Sequence, residues 1–194
     1  MEISITNNNL AGTFWKNEAI EMGANKRSIR YDRYEHFSKF IKAMYPDAKR
    51  VLEVGCGAGY LSILLTKLGY EVTALDYIKY NDLDKQGIEF YEKQFTLDTD
   101  ISQYDLVVGL HCCEATEIVI RNCIANDKEF AVVVCEKHQG LENNHIKNRN
   151  QYIKYLKNIS AKLKVTDLPI YEFLINSHWG ETIYYKKEAK VMKK

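Results

Sequence analysis

The sequence predicts an α/β protein: a single domain built on a seven-stranded, mostly parallel sheet with helices on both faces. Three observations point there. From residue 50 onward, short apolar runs alternate with segments of helical period, the pattern of successive strand–helix units. Two of the runs, Asp105 to Leu110 and Phe130 to Cys135, are apolar almost throughout, as strands covered on both faces are. The last two runs, Tyr171 to Ile175 and Thr182 to Lys186, are rich in β-branched and aromatic residues and flank a short polar stretch with Gly180, so they read as a terminal hairpin that adds one antiparallel strand. With 194 residues, 46% hydrophobic and 27% charged, the chain has material for one well-buried core, which excludes a disordered tail and an array of small domains.

The elements follow in order. Thr13 to Met22 and Ser28 to Met44 are helical; in the second, Tyr31, Tyr34, Phe37, Ile41 and Met44 recur at steps of three or four and share a face, with Ser28 as N-cap and Pro46-Asp47 ending the helix. Arg50 to Val54 is a strand, and Tyr60 to Leu68 a helix closed by Gly69. Glu71 to Leu75, Ile88 to Tyr91, Asp105 to Leu110 and Phe130 to Cys135 continue the sheet, with a helix at Thr116 to Ile124. His145 to Leu163 carries Ile146, Ile153, Leu156, Ile159 and Leu163 on one stripe. Residues 1–47 thus form an N-terminal helical extension, expected as a lid over ligands, and 48–190 the sheet domain. Right-handed crossovers place every strand-to-helix turn at one edge of the sheet, and any active site with them.

Five cysteines, an odd number and four of them in or against apolar runs, read as reduced thiols. No apolar run approaches the length of a membrane span, and Met1 to Leu10 is polar and Asn-rich without the layout of a secretory signal, so a cytoplasmic location without membrane attachment is expected. The net charge of +1 hides a pattern: residues 71–136 hold fourteen acids against five bases, and 137–194 twelve bases against five acids. Such a distribution suits either a positive rim facing an anionic substrate or a charge-mixed, solvated surface.

The strongest local signal is Glu53-Val54-Gly55-Cys56-Gly57-Ala58-Gly59, directly after one strand and before a helix. Glycines there allow positive φ and let a ligand approach bare main chain, while the helix start supplies N–H groups. Spacing selects the ligand. A dinucleotide turn needs its third glycine at position 60, which is Tyr60. The acid at Glu53 followed by Gly-x-Gly-x-Gly instead resembles motif I of the class I S-adenosylmethionine-dependent methyltransferases, whose fold is Rossmann-like. The resemblance implies that Glu53, Gly55, Cys56, Gly57 and Gly59 hold the methionine end of the cofactor. Asp76, at the end of the second strand with Tyr77 after it, is placed to accept the two ribose hydroxyls, since each carboxylate oxygen can take one. The segment Ile88 to Phe95 is similar to the adenine-binding stretch of these enzymes, with Gln94 where an acid is common and Phe95 beside it; Asp98 is the substitute acid.

Asp105 to Thr116 ends a strand in Gly109-Leu110-His111-Cys112-Cys113-Glu114. It resembles the Gly-Leu-His-x-Cys-Gly signature of a methyltransferase subset that includes RNA-modifying enzymes, with Glu114 where the last glycine would stand. His111, Cys112 and Glu114 are the catalytic candidates at the acceptor. His111 is either a base, because an imidazole titrates near neutrality, or a hydrogen-bonding wall; in-line methyl transfer can proceed by alignment alone. Cys112 or Cys113 is a nucleophile, or each is a small buried hydrophobe. A zinc site from His111, Cys112, Cys135 and His138 is disfavoured by the adjacent cysteines, and no metal is expected. Trp15, Lys26, Arg27, Arg30, Tyr31, Arg33 and Tyr34 form a basic and aromatic set that either clamps an anionic or planar acceptor or packs as an amphipathic helix. His178-Trp179 either walls the acceptor pocket or packs in its turn. The function expected is methyl transfer from S-adenosylmethionine to a small molecule or RNA. The rivals are an NAD-dependent oxidoreductase and a non-catalytic cofactor-binding protein of the same fold.

Overall fold

A computed structural model describes residues 29–80, 82–134, 140–142, 144–162, 171–173 and 181–187. The helix expected at Thr13 to Met22, the cap at Ser28, and Trp15, Lys26, Arg27, Cys135, His138, His178 and Trp179 lie outside them. The elements run α1 (Ile29–Met44), β1 (Arg50–Val54), α2 (Tyr60–Lys67), β2 (Glu71–Asp76), a 3₁₀ turn (Leu83–Gln86), β3 (Glu89–Glu92), β4 (Leu106–Leu110), α3 (Ala115–Ala125), β5 (Glu129–Val134), α4 (Arg149–Lys162), β6 (Tyr171–Phe173) and β7 (Glu181–Tyr185).

The strands form one seven-stranded sheet in the order β3-β2-β1-β4-β5-β7-β6. β1 to β5 pair in parallel, and β7 inserts antiparallel between β5 and β6. This is the Rossmann-like architecture the sequence predicts, including the closing hairpin. The strand order reverses direction beside β1, so the turns after β1 and β4 open a crevice at the carboxyl edge, the usual seat of a ligand in such sheets.

Strand alternation sorts the core into two layers. Val51, Leu106, Val108, Ala131 and Val133 face α1 and α2, where Phe37, Phe40, Ile41, Met44, Leu61 and Leu65 are buried against them. Leu52, Val54, Val107, Val132 and Val134 face α3 and α4, against Val119, Ile120, Ile153 and Leu156. Each large apolar side chain fully buried in this way contributes about 1.5 to 3 kcal/mol, so both layers are substantial. α1 therefore belongs to the sheet's own core, although the sequence reading assigns it to an extension.

One boundary differs from the expectation. The last long helix starts at Arg149 and not at His145. Asn148 accepts a hydrogen bond on Oδ1 from the Gln151 amide (3.0 Å), and Gln151 Oε1 accepts one from the Lys147 amide (2.7 Å). The paired bonds satisfy N–H groups that have no partner inside the helix and fix its start there. Ile146 is still buried, from the turn that precedes it. Among the described residues no helix is long and apolar enough to cross a membrane.

Candidate functional site

The turn after β1 is held by the end of β2. The amides of Gly55 and Cys56 donate to the Leu75 carbonyl (2.8 and 3.2 Å), and the amide of Gly59 donates to the Cys56 carbonyl (2.9 Å). Gly55, Gly57 and Gly59 have φ of 70°, 54° and 77°, a region costly for residues with a Cβ. Their surroundings differ. A methyl group on Gly55 would stand 2.9 Å from Cβ of Cys112, and one on Gly59 2.4 Å from Cδ2 of Leu83. At Gly57 it would meet nothing within 4 Å. Two glycines thus permit close packing of the turn against β4's end and the 3₁₀ turn, and only the middle one looks onto open space.

Asp76 is almost fully buried (6% exposed) and clasps the turn. Its Oδ2 accepts from the Gly57 amide (2.8 Å) and its Oδ1 from the Ile78 amide (3.3 Å). A carboxylate offers about four acceptor sites, so lone pairs remain on both oxygens after these two bonds. The pairing of Val54 with Leu75 across β1 and β2 brings the acid beside the glycines.

A cavity of about 330 Å³ opens at this edge. Val54, Gly55, Leu75, Asp76, Tyr77, Lys93, Gln94, Phe95, Cys112, Cys113, Glu114, Ala115 and Ile118 line it. The structure thus gathers Gly55, Asp76, Tyr77, Gln94, Phe95, Cys112 and Glu114, from four separate turns, onto one wall system. Glu53, Cys56, Gly57, Gly59 and His111 are not part of that wall, and neither is Asp98. Tyr77 stands at the mouth, 70% exposed, whereas Phe95 is buried. Phe95 is steadied by Asn122 of α3, whose Nδ2 donates to the carbonyls of Thr96, Leu97 and Thr99 (3.2, 2.9 and 2.9 Å).

Glu53 departs from its expected place. Alternation along β1 turns it to the α2 face with Val51, where it is 1% exposed and accepts a hydrogen bond from the Ser62 hydroxyl. Burial pushes its carboxyl up to about 8, opposed by the Ser62 bonds and assisted by the charge of Asp76. It braces the turn from beneath. Cys56 is buried too, and burial raises its thiol well above the ordinary range, so it is a poor nucleophile.

The turn after β4 is strained at two residues with side chains: His111 has φ 58° and Cys113 φ 50°. Non-glycine residues are uncommon in this region and cluster at functional sites. The His111 amide donates to the Val133 carbonyl (3.1 Å) and the Cys113 thiol to the His111 carbonyl (3.2 Å), which pins the conformation. Cys112 is buried, its Sγ 3.5 Å from Thr116 Oγ1, and packs under Gly55. Burial, then the charges of Arg33 and Arg149, push the His111 imidazole down to about 4. It is neutral at pH 7, which suits a hydrogen-bonding wall better than a general base, whose best pKa lies near the working pH.

Sequence reasoning missed Lys93 and Ile118 on the wall, the Asn122 bonds beyond Phe95, and Arg149 near His111. Arg149 donates through Nη2 to the Val134 carbonyl (3.3 Å), one residue past the carbonyl that receives the His111 amide. Nothing in the sequence separates it from other basic residues. Strand alternation did contain a signal for Glu53, since Val51 and Glu53 must share a face.

A family model described as a methyltransferase domain matches residues 27–165. The chain is 27% identical over 186 residues, 91% of its length and 67% of the other, to the ubiquinone biosynthesis O-methyltransferase of Rickettsia prowazekii. It spans about half to two thirds of the length of the first curated relatives it matches. Among solved structures, an S-adenosyl-L-methionine-dependent methyltransferase from Methanococcus maripaludis aligns with a TM-score of 0.60 at 13% identity, covering 100% of this chain and 98% of that one. The 1,6-didemethyltoxoflavin-N1-methyltransferase of Burkholderia thailandensis, solved with 1,6-didemethyltoxoflavin and S-adenosylhomocysteine, aligns with a TM-score of 0.54 at 13% identity, covering 96% and 94%. These structural likenesses establish a shared fold.

Proposed function

The chain belongs to the methyltransferase-domain family, and on that footing we propose that it transfers the methyl group of S-adenosylmethionine to a small-molecule acceptor at the carboxyl edge of its sheet. The observation that carries this reading is the glycine turn clasped by Asp76 at the wall of the 330 Å³ cavity. The residues present suit such a cofactor. Asp76 keeps lone pairs for ribose hydroxyls after fixing the turn, Tyr77 covers the mouth, and Leu75, Phe95 and Ile118 give apolar walls to a planar ring. Gln94 offers a carbonyl oxygen to a ring amino group. Gly55, Gly57 and Gly59 shape the methionine end, and Glu53 supports them through Ser62.

When bound, the cofactor supplies an electrophilic sulfonium methyl. The chain's part is orientation. Cys112, Cys113 and Glu114 form the wall that continues from the cofactor side toward the acceptor, with His111 behind them as a neutral hydrogen-bonding group. Alignment of acceptor and methyl group can supply much of the rate by itself. We place the reaction in the cytoplasm, in keeping with Cys56, Cys112, Cys113 and Cys123, none of which is in a disulfide.

Thermal melting with S-adenosylhomocysteine and with NAD tests the cofactor, and labelled S-adenosylmethionine with cell extract split into metabolite, RNA and protein fractions tests the acceptor. We expect a rise in Tm with S-adenosylhomocysteine alone and label in the metabolite fraction. Stabilisation by NAD only would overturn the cofactor, and label confined to RNA or protein would overturn the acceptor class.

A further inference from the structure

Three buried nitrogens at the acceptor side have no hydrogen-bond partner among the described residues: Arg33 Nε, His111 Nδ1 and Arg149 Nε. Buried donors and acceptors are almost always paired, and an unpaired one costs about 1 to 3 kcal/mol, so three in one neighbourhood call for a cause. They do share a neighbourhood. His111 and Arg149 are tied to consecutive carbonyls at the end of β5, Val133 and Val134. Arg33 reaches the same edge from α1, where its guanidinium lies 4.7 Å from the Tyr34 ring centroid, its Nη2 donates to the Tyr34 hydroxyl (2.8 Å), and Tyr34 packs 5.5 Å from Tyr60 at the start of α2. The charges of both arginines act on the His111 ring.

We propose that Arg33, His111 and Arg149 form a recognition site for the carboxylate of a small methyl acceptor. The inference rests on the methyltransferase reading above and names its substrate class. Each arginine already spends one nitrogen on a neutral oxygen of the protein, which fixes its plane and leaves Nε–H to donate. Each fixed guanidinium holds one Nε–H for an anionic oxygen, and a charge-assisted pair is roughly twice as strong as a neutral one. The nitrogens are shut off from solvent, which excludes the backbone of a polyanion as their partner. An ion so placed also offsets the like charges of Arg33 and Arg149.

The cofactor's own amino-acid end carries a carboxylate as well, so the experiment separates the two sources. Benzoate and benzamide, equal in shape and different in charge, are titrated calorimetrically into the protein with and without saturating S-adenosylhomocysteine. We expect benzoate to bind the loaded protein at least about tenfold more tightly than benzamide and to shift the His111 ring signals in NMR. Arg149→Gln and Arg33→Gln, checked for folding by their melting curves, should each weaken benzoate by about tenfold and leave S-adenosylhomocysteine affinity within about threefold. Equal binding of benzamide, or no effect of either variant, overturns the carboxylate site. Displacement of benzoate by S-adenosylhomocysteine assigns the arginines to the cofactor and overturns the acceptor. Should S-adenosylhomocysteine itself fail to bind, the methyltransferase reading falls, and the titration without it still decides whether the arginines hold an anion.

Discussion

On the β1–β2 side of the sheet's carboxyl edge, the polar groups that shape the site bond to the protein itself. Asp76 accepts two amides, Glu53 accepts the Ser62 hydroxyl, and the amides of Gly55, Cys56 and Gly59 are spent on carbonyls. On the β4–β5 side, His111, Arg149 and the nearby Arg33 keep buried nitrogens with no partner among the described residues. The same sheet thus carries one half that is internally satisfied and one half with buried nitrogens left unpaired among the described residues. A cofactor common to a whole family can be met by a rigid, internally satisfied turn, whereas a particular acceptor has to be recognised by groups held ready for it.

If the first half is rigid because it is packed, its glycines should differ in cost. Gly55→Ala combines left-handed strain with a contact of 2.9 Å on Cys112 and should lower unfolding stability by about 2 to 5 kcal/mol in urea titration. Gly57→Ala carries the strain alone, about 1 to 2 kcal/mol. Equal losses would mean that packing against β4 is irrelevant to the turn.

Glu53 sharpens the contrast through pH. Its folded carboxyl sits at about 8, above the unfolded value, so the folded state holds the extra proton between them. The stability this provides is fully present below the unfolded pKa near 4.5 and is lost as pH rises through about 8. Melting curves of the wild type should therefore fall between pH 6 and pH 9, and those of Glu53→Gln should stay nearly flat there. A parallel fall in both would remove Glu53 from the account.

The clasp itself should show in cofactor affinity. Asp76→Ala should weaken S-adenosylhomocysteine by about 1 to 3 kcal/mol in calorimetry, through lost ribose acceptors and a loosened Gly57, and Asp76→Asn by less because one oxygen still accepts. Unchanged affinity would place the ribose elsewhere.

Much of the first half was legible in the sequence, because it is local. Three glycines at fixed spacing after an apolar run, and an acid ending the next strand, specify the turn within one strand–helix–strand unit. The reasons for the glycines were not legible, since they lie in Cys112 and Leu83, far along the chain. Arg149 was hidden for the same kind of reason: β4 and β5 must pair in register before Val133 and Val134 bring it beside His111. The capping pair Asn148–Gln151 was readable and moves the helix start that an apolar stripe alone misplaces.

The most direct test of the account is an amide NMR footprint of S-adenosylhomocysteine on the intact chain. Binding should move the signals of Gly55, Asp76, Tyr77, Gln94 and Phe95 together, around the cavity they line. A footprint on α1, α4 or the β6–β7 edge that leaves those five unmoved would contradict it.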